Sequence, residues 1–132
     1  MRIQVKDFMS KPVVATTAED SVSDIRQSMK EKGIHAMPVV EYSNDTLMVD
    51  VAIKGIVTSS DLEKDVAETA KVADVMTASS IHVVHEDSSA QAAAKMLLKH
   101  DVRHIVVMKN GEITGMVSSQ DFVKLVAENK FE

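Results

Sequence analysis

The sequence predicts an α/β fold built twice, as two pseudo-symmetric halves of one module. Three internal repetitions carry that prediction. "GIVTSSD" (Gly55 to Asp61) returns as "GMVSSQD" (Gly115 to Asp121), "VKDFMS" (Val5 to Ser10) returns as "VADVMT" (Val72 to Thr77), and "SVSDIRQSMKEKGIHAMPVV" (Ser21 to Val40) returns as "SAQAAAKMLLKHDVRHIVVM" (Ser89 to Met108). Self-similarity at a fixed period is the mark of a repeated structural unit. The long segments recur at an offset of 68 residues and the heptads at 60, so the first half carries eight extra residues around "EYSNDTLMVDVA", where the second has only "KNGE".

Each half reads as short helix, strand, helix, strand, strand, helix. Ser21 caps the first long helix, Asp24 sits in its first turn, and Gly33 fits just past its end. In the second half Ser88 and Gln91 have capping-box spacing ahead of the helix formers "AAAKMLLK". "AMPVV" and "HIVVM" are short, β-branched and apolar, which reads as buried strand. Asn110-Gly111 predicts a two-residue hairpin joining "RHIVVM" to "EITGMVS". The extra residues of the first half, Tyr42 to Val51, predict an elongated hairpin, with "SND" as its turn. "DLEKDVAETA" and "DFVKLVAENK" then read as amphipathic closing helices. The halves divide at 1–66 and 67–132, and no Gly/Pro/Ser-rich linker separates them. Two halves packed face to face are therefore expected.

Composition narrows the functions. The 132 residues are 45% hydrophobic but only 3% aromatic, so the core must be aliphatic, and the nine methionines read as flexible core filler. A net charge of -5 argues against a general nucleic-acid binder. There is no cysteine for disulfides or thiol chemistry. The start "MRIQVKDFMS" lacks a signal-peptide core, and no apolar run approaches membrane-spanning length, so a soluble cytoplasmic protein is expected. His82 and His85 would point to opposite faces of a strand, against a shared metal.

The order D-x-M, a Ser-capped helix, "GIHAMPVV" and "GIVTSSD", met twice from about Val5 to Ala127, resembles the CBS-domain repeat in tandem, the CBS pair or Bateman module. The resemblance implies a β-α-β-β-α unit repeated with the two sheets packed together, and clefts between the halves that commonly bind adenosine-type ligands. Two departures bear on it: Val106 stands where the first repeat has Pro38, and Asp101 where it has Gly33.

The turns Thr58-x-x-Asp61 and Ser118-x-x-Asp121 have the chemistry for such a ligand. Each lies where a strand ends and a helix begins, and a helix start offers unpaired N–H groups to a phosphate. An ionised Asp only accepts hydrogen bonds, and its two oxygens match the two hydroxyls of a ribose. The same spacing is also an ordinary helix cap, and one residue can serve both ends. The resemblance implies that each cleft combines the turn of one repeat with the opening strands of the other. One set is then Ser118, Gln120 and Asp121 with Ser10, Val14, Ile34 and His35; the other is Thr58, Ser60 and Asp61 with Thr77, His82, Val102 and Arg103. Arg103 supplies a fixed cation for phosphate, unless it merely pairs with a surface acid.

The leading function is a non-catalytic regulatory module that senses AMP, ADP, ATP or S-adenosylmethionine, without a resident cofactor. The alternative is a structural dimerisation module with empty clefts. An enzyme is disfavoured, because no neighbouring nucleophile–base pair, metal set or Walker-type loop is present. A homodimer is expected through Leu62, Val66, Phe122 and Val126 of the closing helices, which would hide an exposed apolar patch.

Overall fold

Helix α1 (Val22–Lys32) begins where Ser21, in extended backbone, accepts the Asp24 N–H on its side chain, and ends at Gly33, whose φ of 63° is left-handed. Its buried residues Val22, Ile25 and Met29 are three and four apart, which places them on one apolar face. The computed structural model describes residues 2–45, 48–63, 65–78 and 81–128 of the chain. These divide into two compact units, one of Val14–Ile81 and one of Met1–Val13 with His82–Glu132.

In the first unit α1 leads into an antiparallel pair, β1 (Ala36–Asp45) and β2 (Met48–Thr58), paired from Ala36 opposite Thr58 to Asp45 opposite Met48 with a register shift between Val39 and Val40. The expected long hairpin is therefore present. Ser43, Asn44 and Asp45 are strand rather than turn, however, and the connection at 46–47 lies outside the described residues. The paired edges are extended near their base. Thr16 donates its N–H to Pro38 O and accepts from Val40 N, while Thr77 exchanges both backbone bonds with Ile56 on the far strand. Met37, Val39 and Val57 close the core with α1 and with Val72, which opens the short helix α3 (Val72–Val75).

The second unit has a three-stranded sheet, with β3 (Val83–His85) parallel to β4 (His104–Lys109) and β5 (Glu112–Ser118) antiparallel to β4. Asn110 and Gly111, at φ 54° and 78°, make the tight turn expected between β4 and β5. Helix α4 (Ala90–His100) covers the sheet with Ala93 and Leu97, and Asp101 takes the left-handed end position at φ 51°. Val5, Ile105, Val107 and Val117 complete this core.

The two cores are built from equivalent positions, with one exchange. Val5, from the opening segment of the first repeat, is buried with the second repeat's helix and strands. Val72, from the opening segment of the second, is buried with the first repeat's. The compact units thus differ from the halves 1–66 and 67–132 by this trade of opening segments. Each trade is tied by backbone bonds, Ser10 with Met116 and Thr77 with Ile56.

Three local expectations need correction. The first closing helix, α2 (Ser59–Leu62), is a single turn, while its counterpart α5 (Ser119–Ala127) has nine residues. Arg26 donates to the Leu62 carbonyl at 2.6 Å and pairs with Glu68, and the carbonyls of Glu68 and Ala70 accept the first N–H groups of α1. The chain after Leu62 is thus occupied in capping α1. The second-half cap is Ser89, not Ser88: its side chain accepts the Ala92 N–H at 3.0 Å. The first strand expected in the first half is reduced to the isolated bridge at Thr16, whereas β3 forms in the second.

Candidate functional site

The two acidic turns are constructed alike. Ser118 caps α5: its Oγ accepts the Asp121 N–H at 3.2 Å, and Asp121 Oδ2 accepts the Ser118 N–H at 2.8 Å. Thr58 caps α2: its Oγ1 accepts the Asp61 N–H at 3.3 Å, and Asp61 Oδ2 accepts the Thr58 N–H at 2.9 Å. Both are capping boxes, so the cap interpretation of these residues holds in full. The next residue is anchored too, since Ser119 N–H donates to Arg103 O and Ser59 N–H to His35 O.

Each turn depends on the glycine that opens its heptad. A Cβ on Gly55 would stand 2.8 Å from Thr77 O and 3.0 Å from Met76 Sδ. A Cβ on Gly115 would stand 2.5 Å from Met9 Sδ and 3.1 Å from Ser10 O. These glycines let the exchanged opening segments lie directly on the strands that lead into the turns. The signal was present in the sequence, as an isolated glycine inside a strand pattern.

The environments of the two acids differ. Asp121 is 9% exposed, and its Oδ1 accepts a hydrogen bond from Ser10 Oγ at 2.9 Å. Asp61 is half-buried, and Thr58 supplies its side-chain partners through N–H and through Oγ1 at 3.1 Å, both to Oδ2.

The predicted residues sort by unit. Ser10, Ser118, Gln120 and Asp121 share one unit with His82, Val102 and Arg103. Thr58, Ser60, Asp61 and Thr77 share the other with Val14, Ile34 and His35. Of the two expected sets, Ser10 is thus brought onto Asp121, and Thr77 onto the strand that ends at Thr58. Gln120, Ser60, Arg103 and His35 present exposed side chains, whereas Val14, Ile34 and Val102 pack against the cores.

The His82 ring stacks on His100, with centroids 3.9 Å apart and planes at 16°. Desolvation, then the proximity of His82 and Lys99, holds the His100 imidazole below its ordinary pKa. His100 did not figure among the expected residues; only the fold brings the end of α4 to the start of β3. His85 Nδ1 instead accepts the Asp87 N–H at 3.0 Å.

A family model described as CBS domain matches residues 5–68 and 72–128. The chain belongs to the CBS-domain family. Among curated proteins it is 32% identical over 123 residues to protein YlbB of Bacillus subtilis (strain 168), covering 89% of this chain and 78% of that one. It is also 29% identical over 119 residues to an inosine-5'-monophosphate dehydrogenase of Korarchaeum cryptofilum (strain OPF8), covering 89% of this chain and 23% of the enzyme. This CBS-domain chain therefore spans about a quarter of the dehydrogenase's length. Among solved structures, the CBS domain pair of protein MJ0100, in complex with 5'-methylthioadenosine and S-adenosyl-L-methionine, superimposes with a TM-score of 0.79 at 24% identity over 98% of this chain and 99% of that one. That likeness establishes the CBS-pair fold. No helix among the described residues is long and apolar enough to cross a membrane.

Proposed function

We propose that this CBS pair is a non-catalytic sensor of an adenosine-containing ligand, held at the turns Thr58–Asp61 and Ser118–Asp121. The observation that carries the reading is the duplicated carboxylate, fixed at a strand-to-helix turn by reciprocal capping bonds in both repeats. A carboxylate already oriented by the backbone loses little freedom when it accepts ribose hydroxyls. Ser59 and Ser119 N–H already donate to His35 O and Arg103 O, and Asp61 and Asp121 N–H to the capping hydroxyls, so a phosphate at either turn would draw on the Ser60 or Gln120 N–H. The adenosyl ligands in the MJ0100 pair support the same ligand class. Such a ligand would regulate by binding one conformation better than another.

The test combines two measurements. A thermal-shift series with AMP, ADP, ATP and S-adenosylmethionine should raise the melting temperature with at least one of them. Calorimetric titration of wild type, Asp61→Ala and Asp121→Ala with AMP should then show about tenfold to a hundredfold weaker binding where the acid is lost. Equal affinity in all three proteins would reduce both acids to helix caps.

A second reading, a dimerisation module without ligand, is favoured by the exposure of Leu98 at 83%, Val123 at 59% and Val126 at 61%. Absence of any thermal shift together with a stable dimer would select it.

A further inference from the structure

The two acidic turns match in sequence and in capping geometry, yet their carboxylates are not equally available. Asp121 has both oxygens engaged: Oδ2 accepts the Ser118 N–H, and Oδ1 accepts Ser10 Oγ at 2.9 Å. With only 9% of the residue exposed, little room is left for a further donor. Asp61 directs both of its Thr58 bonds to Oδ2, and among the described residues its Oδ1 has no hydrogen-bond partner. The residue equivalent to Ser10 is Thr77. Its backbone pairs with Ile56 as Ser10 pairs with Met116, but among the described residues the Asp61 carboxylate accepts from Thr58 and not from the Thr77 hydroxyl.

A serine hydroxyl donating to a carboxylate makes the same bond that a ribose hydroxyl would make there. We infer that Ser10 is a built-in placeholder on Asp121, so that the Thr58–Asp61 turn takes an adenosyl ligand first and the Ser118–Asp121 turn fills only when Ser10 gives way. This rests on the sensor reading above and adds a rank order to its two sites. Because Ser10 sits on the exchanged opening segment, filling the second turn is coupled to that segment's hold on β5. Among the described residues the first turn has no such bond from its opening segment.

Titration calorimetry with adenosine and with AMP tests this on wild type, Ser10→Ala, Ser10→Thr, Asp61→Ala and Asp121→Ala. Wild type should bind in two unequal steps, the tighter lost in Asp61→Ala and the weaker lost in Asp121→Ala. Ser10→Ala should tighten the weaker step about tenfold, the worth of one charge-assisted hydrogen bond no longer displaced. Ser10→Thr, which keeps a hydroxyl, should stay close to wild type. Two equal steps in wild type, or a weaker Asp121 step in Ser10→Ala, would overturn the inference; the latter outcome would make Ser10 a ligand contact. Failure of every protein to bind either probe would remove the sensor reading and the rank order with it. The Ser10–Asp121 bond is read without ligand, by urea unfolding of Ser10→Ala, Asp121→Asn and the double variant. Non-additive losses are expected, and additive ones would show that the bond is not made in solution.

Discussion

Replacing Gly55 by alanine should cost far more stability than replacing Gly115, although the two glycines hold the same place in the repeat. At Gly55 the new methyl would stand 2.8 Å from Thr77 O, a backbone atom. That oxygen accepts the Ile56 N–H at 2.9 Å, and the reciprocal bond from Thr77 N is also 2.9 Å. Relief of the clash must therefore move the bridge itself. Two strained backbone bonds at about 0.5–1.5 kcal/mol each, with about 1–3 kcal/mol for overpacking, outweigh the roughly 0.4–1 kcal/mol gained by restricting the unfolded chain. The net loss should be about 1–5 kcal/mol. At Gly115 the closest atoms are Met9 Sδ at 2.5 Å and Met9 Cγ at 2.9 Å, with Ser10 O at 3.1 Å. A methionine side chain has three rotatable bonds and can swing aside, so the net loss there should be about 0–1 kcal/mol, set mostly by the same opposed terms. Equilibrium urea unfolding followed by circular dichroism, with m-values compared, measures both. A Gly115→Ala loss equal to or larger than that of Gly55→Ala would refute the distinction between backbone and side-chain obstruction.

Three further expectations concern pH, the hairpin and association. Asp20 accepts from Thr16 Oγ1 at 2.5 Å and from Thr17 N at 3.0 Å, and these bonds hold its carboxyl below the ordinary value. A depressed folded-state pKa means stability fully present above the unfolded carboxylate range and lost as pH falls through the folded value, so Asp20→Asn should flatten the acid limb of a urea-midpoint profile below about pH 4; an unchanged limb would deny Asp20 that role. Shortening β1 and β2 between Glu41 and Ala52 to the length of the β4–β5 hairpin should leave cooperative unfolding intact, because Met37, Val39 and Val57, which these strands give to the core, lie outside that stretch. Loss of a single transition would show that the arm supports the fold. Association, if it occurs, should use Leu98, Val123 and Val126, since Leu62 is buried while Val66 and Phe122 pack against the cores. Leu98→Glu with Val126→Glu should then turn a dimer seen by light scattering into a monomer, and a wild type that is monomeric at high micromolar concentration would end the expectation.

What the sequence determined by itself is local or periodic. The ends of α1, the left-handed turn at Asn110-Gly111 and the long β1–β2 hairpin follow from side-chain and backbone preferences acting within a few residues. The doubling follows from repetition, which needs no coordinates. Both acidic turns were legible for the same reason, since a cap is written within four positions. Only the tertiary structure decided which segment completes which core. Val5 and Val72 are equally apolar and open hexapeptides of the same pattern, V-x-D-x-M-S/T, so nothing local says that each is buried with the other repeat. Only the fold cut α2 to one turn, because Arg26, distant in sequence, claims the carbonyl of Leu62. The same dependence on distant partners separates the two acids. Asp61 and Asp121 carry the same local pattern, and the hydroxyl that closes one of them comes from Ser10, 111 residues away along the chain. A hydrogen bond between such positions exists only once the backbone has brought them to 2.9 Å, and no preference of either residue announces it.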